Sequence, residues 1–282
     1  MTTAPAPAIA RQTWRTTGSL SFGGILRSEW IKFFSLRSMR WASAVTLVAG
    51  LGLAFLLSLT ITVSSGDMSP VQDAELAALG TQSATFGLMF TQLIMAVLGV
   101  LAITNEYSSG MILSTITAVP KRTPVFIAKA LLVFVIGLVI GAIITFGGGI
   151  ITTLVIPDLS FSVMMRPEVL ASLGGGAIFL SLVALLSFGI GALVRSAAGG
   201  IAIVVGLLFV APTAFQIMSM SGWAWVDVVA SYLPSTLGMT LYGGATMTGD
   251  GMGYWQALAA MVVWVLAALI PAAILLKQRD TV

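Results

Sequence analysis

Six stretches of nearly unbroken apolar residues alternate with short polar connections along the chain, at 41–63, 84–104, 125–155, 170–194, 198–218 and 254–276. Crossing the hydrocarbon core takes about 20 apolar residues in a helix, and a helix satisfies its own backbone polar groups there. Each stretch is therefore expected to be a membrane-spanning helix. The third is long enough for tilt or an overhang into water. The segment 223–242 would add a crossing if it dips into the bilayer.

Two segments precede the first span. Residues 1–18 are rich in Ala, Pro and Thr without apolar periodicity, which predicts a disordered tail. No uncharged apolar core follows the first basic residues before Trp41, so the tail does not read as a signal peptide. Over 19–40 the pattern changes. Leu26, Trp30, Phe33 and Phe34 recur at helical spacing, and Arg27, Lys32 and Arg37 supply positive charge. Such a segment predicts an interfacial helix with bases towards anionic lipid and aromatics in the acyl boundary. A plain juxtamembrane flank is the alternative. Residues 277–282 form a short polar tail.

Composition agrees with the pattern. Apolar residues make up 58% and charged residues 8% of the 282, against roughly 25% charged in a soluble domain, and the mean hydropathy is +1.05. The chain has no Cys and no His. That removes disulfides, thiol nucleophiles and the usual zinc, haem and iron–sulfur ligands. No G-x-x-x-x-G-K-[ST] phosphate loop occurs, and no polar stretch is large enough for a nucleotide-binding domain. No catalytic residue, metal site or cofactor is expected in this chain.

Charge orients the spans. With both termini inside, twelve of the thirteen basic residues fall on the inner side and only Arg166 lies outside, whereas seven of the ten acidic residues lie outside. This is a positive-inside distribution, and it predicts a multi-pass plasma-membrane protein with both termini cytoplasmic. The bases are placed by topology, so nucleic acid is not an expected partner; membrane lipid is.

Apart from the edge positions Lys129 and Arg195, the six stretches hold no charged residue. Ion-coupled carriers commonly place ionisable groups in the membrane, although broken helices with free carbonyls can substitute. A pore would show rings of charge or a carbonyl filter. Energy for any uphill transport is therefore expected from another subunit. Gln92, Thr145 and Gln216 sit at mid-span depth and either line a pathway or bond between helices. Gly137-x-x-x-Gly141 fits close helix packing, or else a pivot or dimer face.

The connection at 105–122, NEYSSGMILSTITAVPKR, is too polar for either flanking span, yet Met111, Ile112, Thr115 and Ile116 keep helical spacing. A short amphipathic helix is expected, with Glu106 at a start that favours an anion, Gly110 permitting a turn and Pro120 ending it. An ordinary loop is the alternative.

This run, with TPVFIAKALLV after it, resembles the region after the second span in ABC-2-type transporter permeases, notably compact six-span members from high-GC Gram-positive bacteria. The matching elements are Glu106-Tyr107, Gly110-Met111-Ile112, the run from Ala118 to Pro120 with Arg122, and Ala128-Lys129. LRSEWIK at 26–32, LVRSAAG at 193–199 and YLPS at 232–235 are similar too, in the expected order over nearly the whole chain. The resemblance implies an all-α permease that pairs with a second permease chain, as homodimer or heterodimer, and with two copies of an ABC ATPase subunit. ATP and Mg would be bound by those ATPase subunits. By the same resemblance 19–40 would be an elbow helix and 223–242 short external helices, with Trp223, Trp225, Tyr232 and Tyr242 interfacial. The coupling element to the ATPase would comprise Glu106, Tyr107, Gly110, Met111, Ile112, Pro120 and Arg122, within the cytoplasmic loop 105–124. The domain layout would then be a tail (1–18), an elbow (19–40), a six-helix membrane domain (41–276) and a tail (277–282). An ion-coupled carrier and a non-transporting assembly, sensing or immunity subunit are the other functional classes to weigh.

Overall fold

The computed structural model describes residues 21–64, 72–108, 122–243 and 252–278. Among them, six helices or helix pairs are long and apolar enough to cross a membrane. The protein is thus an all-α, polytopic membrane protein, as the apolar pattern predicts. The expected N-terminal tail, residues 279–282, and Gly110, Met111, Ile112 and Pro120 of the connection lie outside the described residues, while Lys277 and Gln278 of the expected C-terminal tail continue the last helix.

Helix α1 (Phe22–Ser35) starts at Ser21, whose Oγ accepts a hydrogen bond from the Gly24 amide at 3.1 Å, an N-cap that satisfies one of the free amides of the first turn. Leu36 is extended and ends the helix, and α2 (Arg37–Ser64) starts at the next residue. Arg37 and Arg40 therefore belong to the first span and not to the helix before it. The second span is α3 (Asp73–Thr85) followed by α4 (Leu88–Ser108), broken at Phe86-Gly87. A side chain at Gly87 would stand 2.6 Å from the carbonyl oxygen of Gly50 in α2, so the break sits where these two backbones cross.

Helix α5 (Arg122–Val155) is the third span, and after the short α6 (Phe161–Met164) comes the fourth, α7 (Pro167–Val194). The fifth is α8 (Ala197–Val205), a π-helical turn at Gly206–Val210, and α9 (Ala211–Ser219). Pro212 explains the turn: it has no N–H for the carbonyl of Leu208 four residues earlier, and its ring crowds that carbonyl. Two short helices, α10 (Ala224–Ser231) and α11 (Pro234–Tyr242), lead to the last span, α12 (Tyr254–Gln278).

Span α7 is central, with 78% of its most apolar stretch buried, against 22% for α2, 11% for α8–α9 and 22% for α12. Helices α4, α5, α11 and α12 pack around it. The Gly137-x-x-x-Gly141 pair faces α7: side chains there would lie 2.7 Å and 2.8 Å from the Cα atoms of Ser181 and Ala177. The motif thus serves close packing inside the chain.

At the acidic end, a second apolar cluster joins α3, α6 and the start of α7 through Leu76, Ile156, Val163, Met164 and Leu173. Arg166 pairs there with Asp73 at 2.7 Å, an exposed ion pair of small energetic weight.

Helix α11 does not lie on the surface as an interfacial segment would. Its Pro234, Leu237, Gly238, Leu241 and Tyr242 are buried, and the Tyr242 ring packs on Phe179 of α7 at 5.6 Å. Tyr242 is a core residue, whereas Trp223, Trp225 and Tyr232 are half exposed. A Gly-rich strip on α7 admits α11, because Gly175 offers no side chain to block the Leu241 carbonyl.

Candidate functional site

The main concentration of buried charge lies at the basic end of the bundle, where α1 meets the end of α4 and the start of α5. Helix α1 turns Ile25, Glu29 and Phe33 inward, a stripe at intervals of four that puts a carboxylate between two apolar anchors. Helix α4 contributes Glu106 from its last turn, and α5 contributes Lys129, about two turns from its start. Lys129 donates to Glu29 Oε2 and, at 2.9 Å, to Glu106 Oε1. Lys32 donates to Glu29 Oε1 at 2.8 Å and to Glu106 Oε1 at 3.3 Å. Glu29, Glu106 and Lys129 are more than nine-tenths buried, and the side chain of Lys32 is 30% exposed. Two carboxylates and two ammonium groups thus form a charge-balanced cluster, the condition under which buried ions are tolerated.

Glu106 is placed differently from its sequence expectation. Asn105 to Ser108 continue α4, so Glu106 stands at a helix end whose dipole disfavours an anion. Its two lysine partners outweigh that effect. Lys32 likewise turns its ammonium to the cluster.

Burial works against ionisation of Glu29, but the charge and hydrogen bond of Lys129, joined by Lys32, outweigh it and hold the carboxyl below its ordinary value of 4.5. Burial also works against the Lys32 ammonium, and Glu29 and Glu106 outweigh that, raising it above 10.5. A depressed carboxyl stabilises the fold above its ordinary pKa and loses that contribution as pH falls through its folded value; a raised ammonium does so below its ordinary pKa and loses it as pH rises. Docking of α1 is therefore expected to be flat in pH between about 4.5 and 10.5 and to weaken outside that window. Trp30 fluorescence against pH checks this.

The cluster forms one wall of a cavity of about 450 Å³. Phe33, Met39, Ala102, Leu132 and Val133 supply its apolar lining, and the exposed Ser35, Leu36 and Ser38 stand at its rim between α1 and α2. Beside it the guanidinium of Arg195 lies over the Tyr107 ring, 5.4 Å from its centroid. Arg195 caps α7 in a left-handed conformation, φ 57°, so this contact ties the end of the second span to the turn between the fourth and fifth.

The other sequence-derived residues are spread out. Leu26 packs against the core, Arg27, Trp30, Phe34 and Arg37 are exposed, and Arg122 opens α5. Thr145 is buried and donates to the Gly141 carbonyl within its own helix. Gln92 is buried and donates to the Met89 carbonyl; its Oε1 lies 3.3 Å from Ser235 Oγ, which donates to the carbonyl of Leu208 in the π turn. Gln216 sits on the exposed face of α9. These three share no common surface. Glu29 and Lys129 were not singled out by sequence as a pair. The signal available was a carboxylate inside an apolar i, i+4, i+8 stripe, and a lysine at the edge of a long apolar helix.

Neither the family models nor the curated proteins compared with the chain match it. Its architecture and buried charge are those of a polytopic, all-helical membrane protein and are consistent with a transport-type fold.

Proposed function

We propose that this chain is the membrane-spanning subunit of an ATP-driven exporter of the ABC-2 type, with both termini and the 109–121 connection in the cytoplasm. One observation carries most weight. The connection joins α4 to α5, and each of those helices gives one ion, Glu106 or Lys129, to the cluster that holds α1. A pull on the connection would move two spans and the preceding helix together, which is what a separate ATPase subunit needs from a membrane partner. The resemblance described above supports the same reading, with hydrolysis on two ATPase subunits, a second permease chain completing the pathway, and an amphipathic or hydrophobic cargo.

Reconstituted vesicles holding the chain and its ATPase test this. ATP is expected to drive uphill transport after proton and sodium gradients collapse. Met111→Asp is expected to weaken ATPase association about 10- to 100-fold, the worth of one buried apolar side chain, without impairing membrane insertion. Transport driven by an ion gradient through the purified chain alone would favour a second reading, an ion-coupled carrier. The observation behind that reading is the three buried ionisable groups at the edge of the spans.

The chain lacks cysteine, so single-cysteine variants report its orientation. Ser160→Cys, exposed at the acidic end, is expected to react with an impermeant maleimide in intact cells. Ser35→Cys, exposed at the basic end, is expected to react only after permeabilisation.

A further inference from the structure

The ion cluster leaves two polar positions over. Glu106 Oε1 accepts from both lysines, whereas Oε2 accepts from no described residue. Lys129 has three N–H groups and donates two, to Glu29 and Glu106. Among the described residues, one acceptor and one ammonium N–H therefore remain on side chains that are more than nine-tenths buried, and both residues line the 450 Å³ cavity. A volume of this size, with mostly apolar walls and a few convergent polar groups, is typical of a small-molecule site.

The route in is also marked. Ser35, Leu36 and Ser38 at the rim are exposed, and the neighbouring surface of α1 presents Trp30, Ile31 and Phe34 to the outside. An apolar surface of that kind on a membrane protein faces acyl chains or headgroups, so a ligand would arrive from the bilayer.

Charge narrows the ligand further. The four ions balance, so a ligand of net charge would unbalance a buried cluster, while a neutral ligand carrying both signs would not. We propose that this cavity binds a zwitterionic phospholipid with a primary ammonium headgroup, the ammonium donating to Glu106 and a phosphate oxygen accepting from Lys129. The leading part of the acyl region lies along Phe33, Met39 and Val133. Neither the exporter reading nor any ATPase is needed for this site.

Native mass spectrometry of the purified full chain, with an equal mixture of phosphatidylethanolamine, phosphatidylcholine and phosphatidylglycerol, tests it. Phosphatidylethanolamine is expected to be retained over phosphatidylcholine by about tenfold, the ratio set by one hydrogen bond to a charged group. Phosphatidylcholine keeps the charge but has no N–H, and phosphatidylglycerol has the anion with neutral hydroxyls in place of the ammonium. Glu106→Gln is expected to remove the preference. Because that change also disturbs the cluster, Ala102→Phe is the companion variant: it fills the cavity without touching an ion and is expected to remove the preference while leaving the thermal midpoint close to wild type. Equal retention of the three lipids, a preference for phosphatidylglycerol, or a phosphatidylethanolamine preference that survives Ala102→Phe would each overturn the assignment.

Discussion

Lys129→Met is expected to unseat α1 and to be among the most damaging single changes in the chain. The substitution keeps the length of the side chain but leaves Glu29 and Glu106 buried with Lys32 alone between them. Removing one partner from a buried ionic group costs about 3–5 kcal/mol, because the remaining charge keeps its desolvation penalty without its compensation. The loss should be read as a lower thermal midpoint in detergent and as faster proteolysis between α1 and α2. Glu29→Gln combined with Lys129→Met should be less damaging than the sum of the two single changes, since the double variant buries one carboxylate fewer. Additive effects would show that the cluster does not hold the helices together.

Gly175→Ala and Gly174→Ala are expected to have opposite signs although the residues are adjacent. A methyl group at Gly175 would lie 2.1 Å from the carbonyl oxygen of Leu241, while one at Gly174 meets nothing within 4 Å. The obstacle at Gly175 is backbone, which cannot rotate away, so α11 must shift from α7 and loosen Leu237, Leu241 and Tyr242. Overpacking of this kind costs about 1–3 kcal/mol. At Gly174 the exchange removes only the flexibility of a glycine in a helix and should be neutral or stabilising by about 0.5–1 kcal/mol. Thermal unfolding of the two variants side by side checks the prediction. Equal midpoints would mean that α11 does not insert against α7.

The spans were legible because a bilayer imposes length and apolarity directly on sequence, and each apolar stretch is found in a helical span at most five residues longer, except the second, which α3 extends. What polarity suggested was less dependable near the ends. Asn105 to Ser108 look like loop because they are polar, yet a helix continues where its polar side chains find partners, as Glu106 does. The resemblance makes Tyr242 interfacial, but it does not say which way a ring points, and Gly175 lets α11 pack close enough for the ring to lie on Phe179. The candidate site was legible only in pieces. Leu26 to Lys32, Glu106 and Lys129 were all noted, but their meeting is a tertiary fact: Glu29 and Lys129 are 100 residues apart, and no local pattern links them. Pro212 offered a clearer clue to the π turn, since the missing N–H can be counted from sequence alone.

The same separation of 100 residues has a consequence in time. Synthesis proceeds at roughly 5–20 residues per second, so about 5–20 seconds pass between the emergence of Glu29 and that of its buried lysine partner. The first two spans leave the ribosome during that interval, and until it ends α1 has no counter-ion on the third. Glu29 must wait in a hydrated setting beside Lys32, and α1 docks only once α5 has entered the bilayer. Seating of the N-terminal helix is thus a late event in biogenesis, and a nascent chain stopped before Lys129 would carry it undocked.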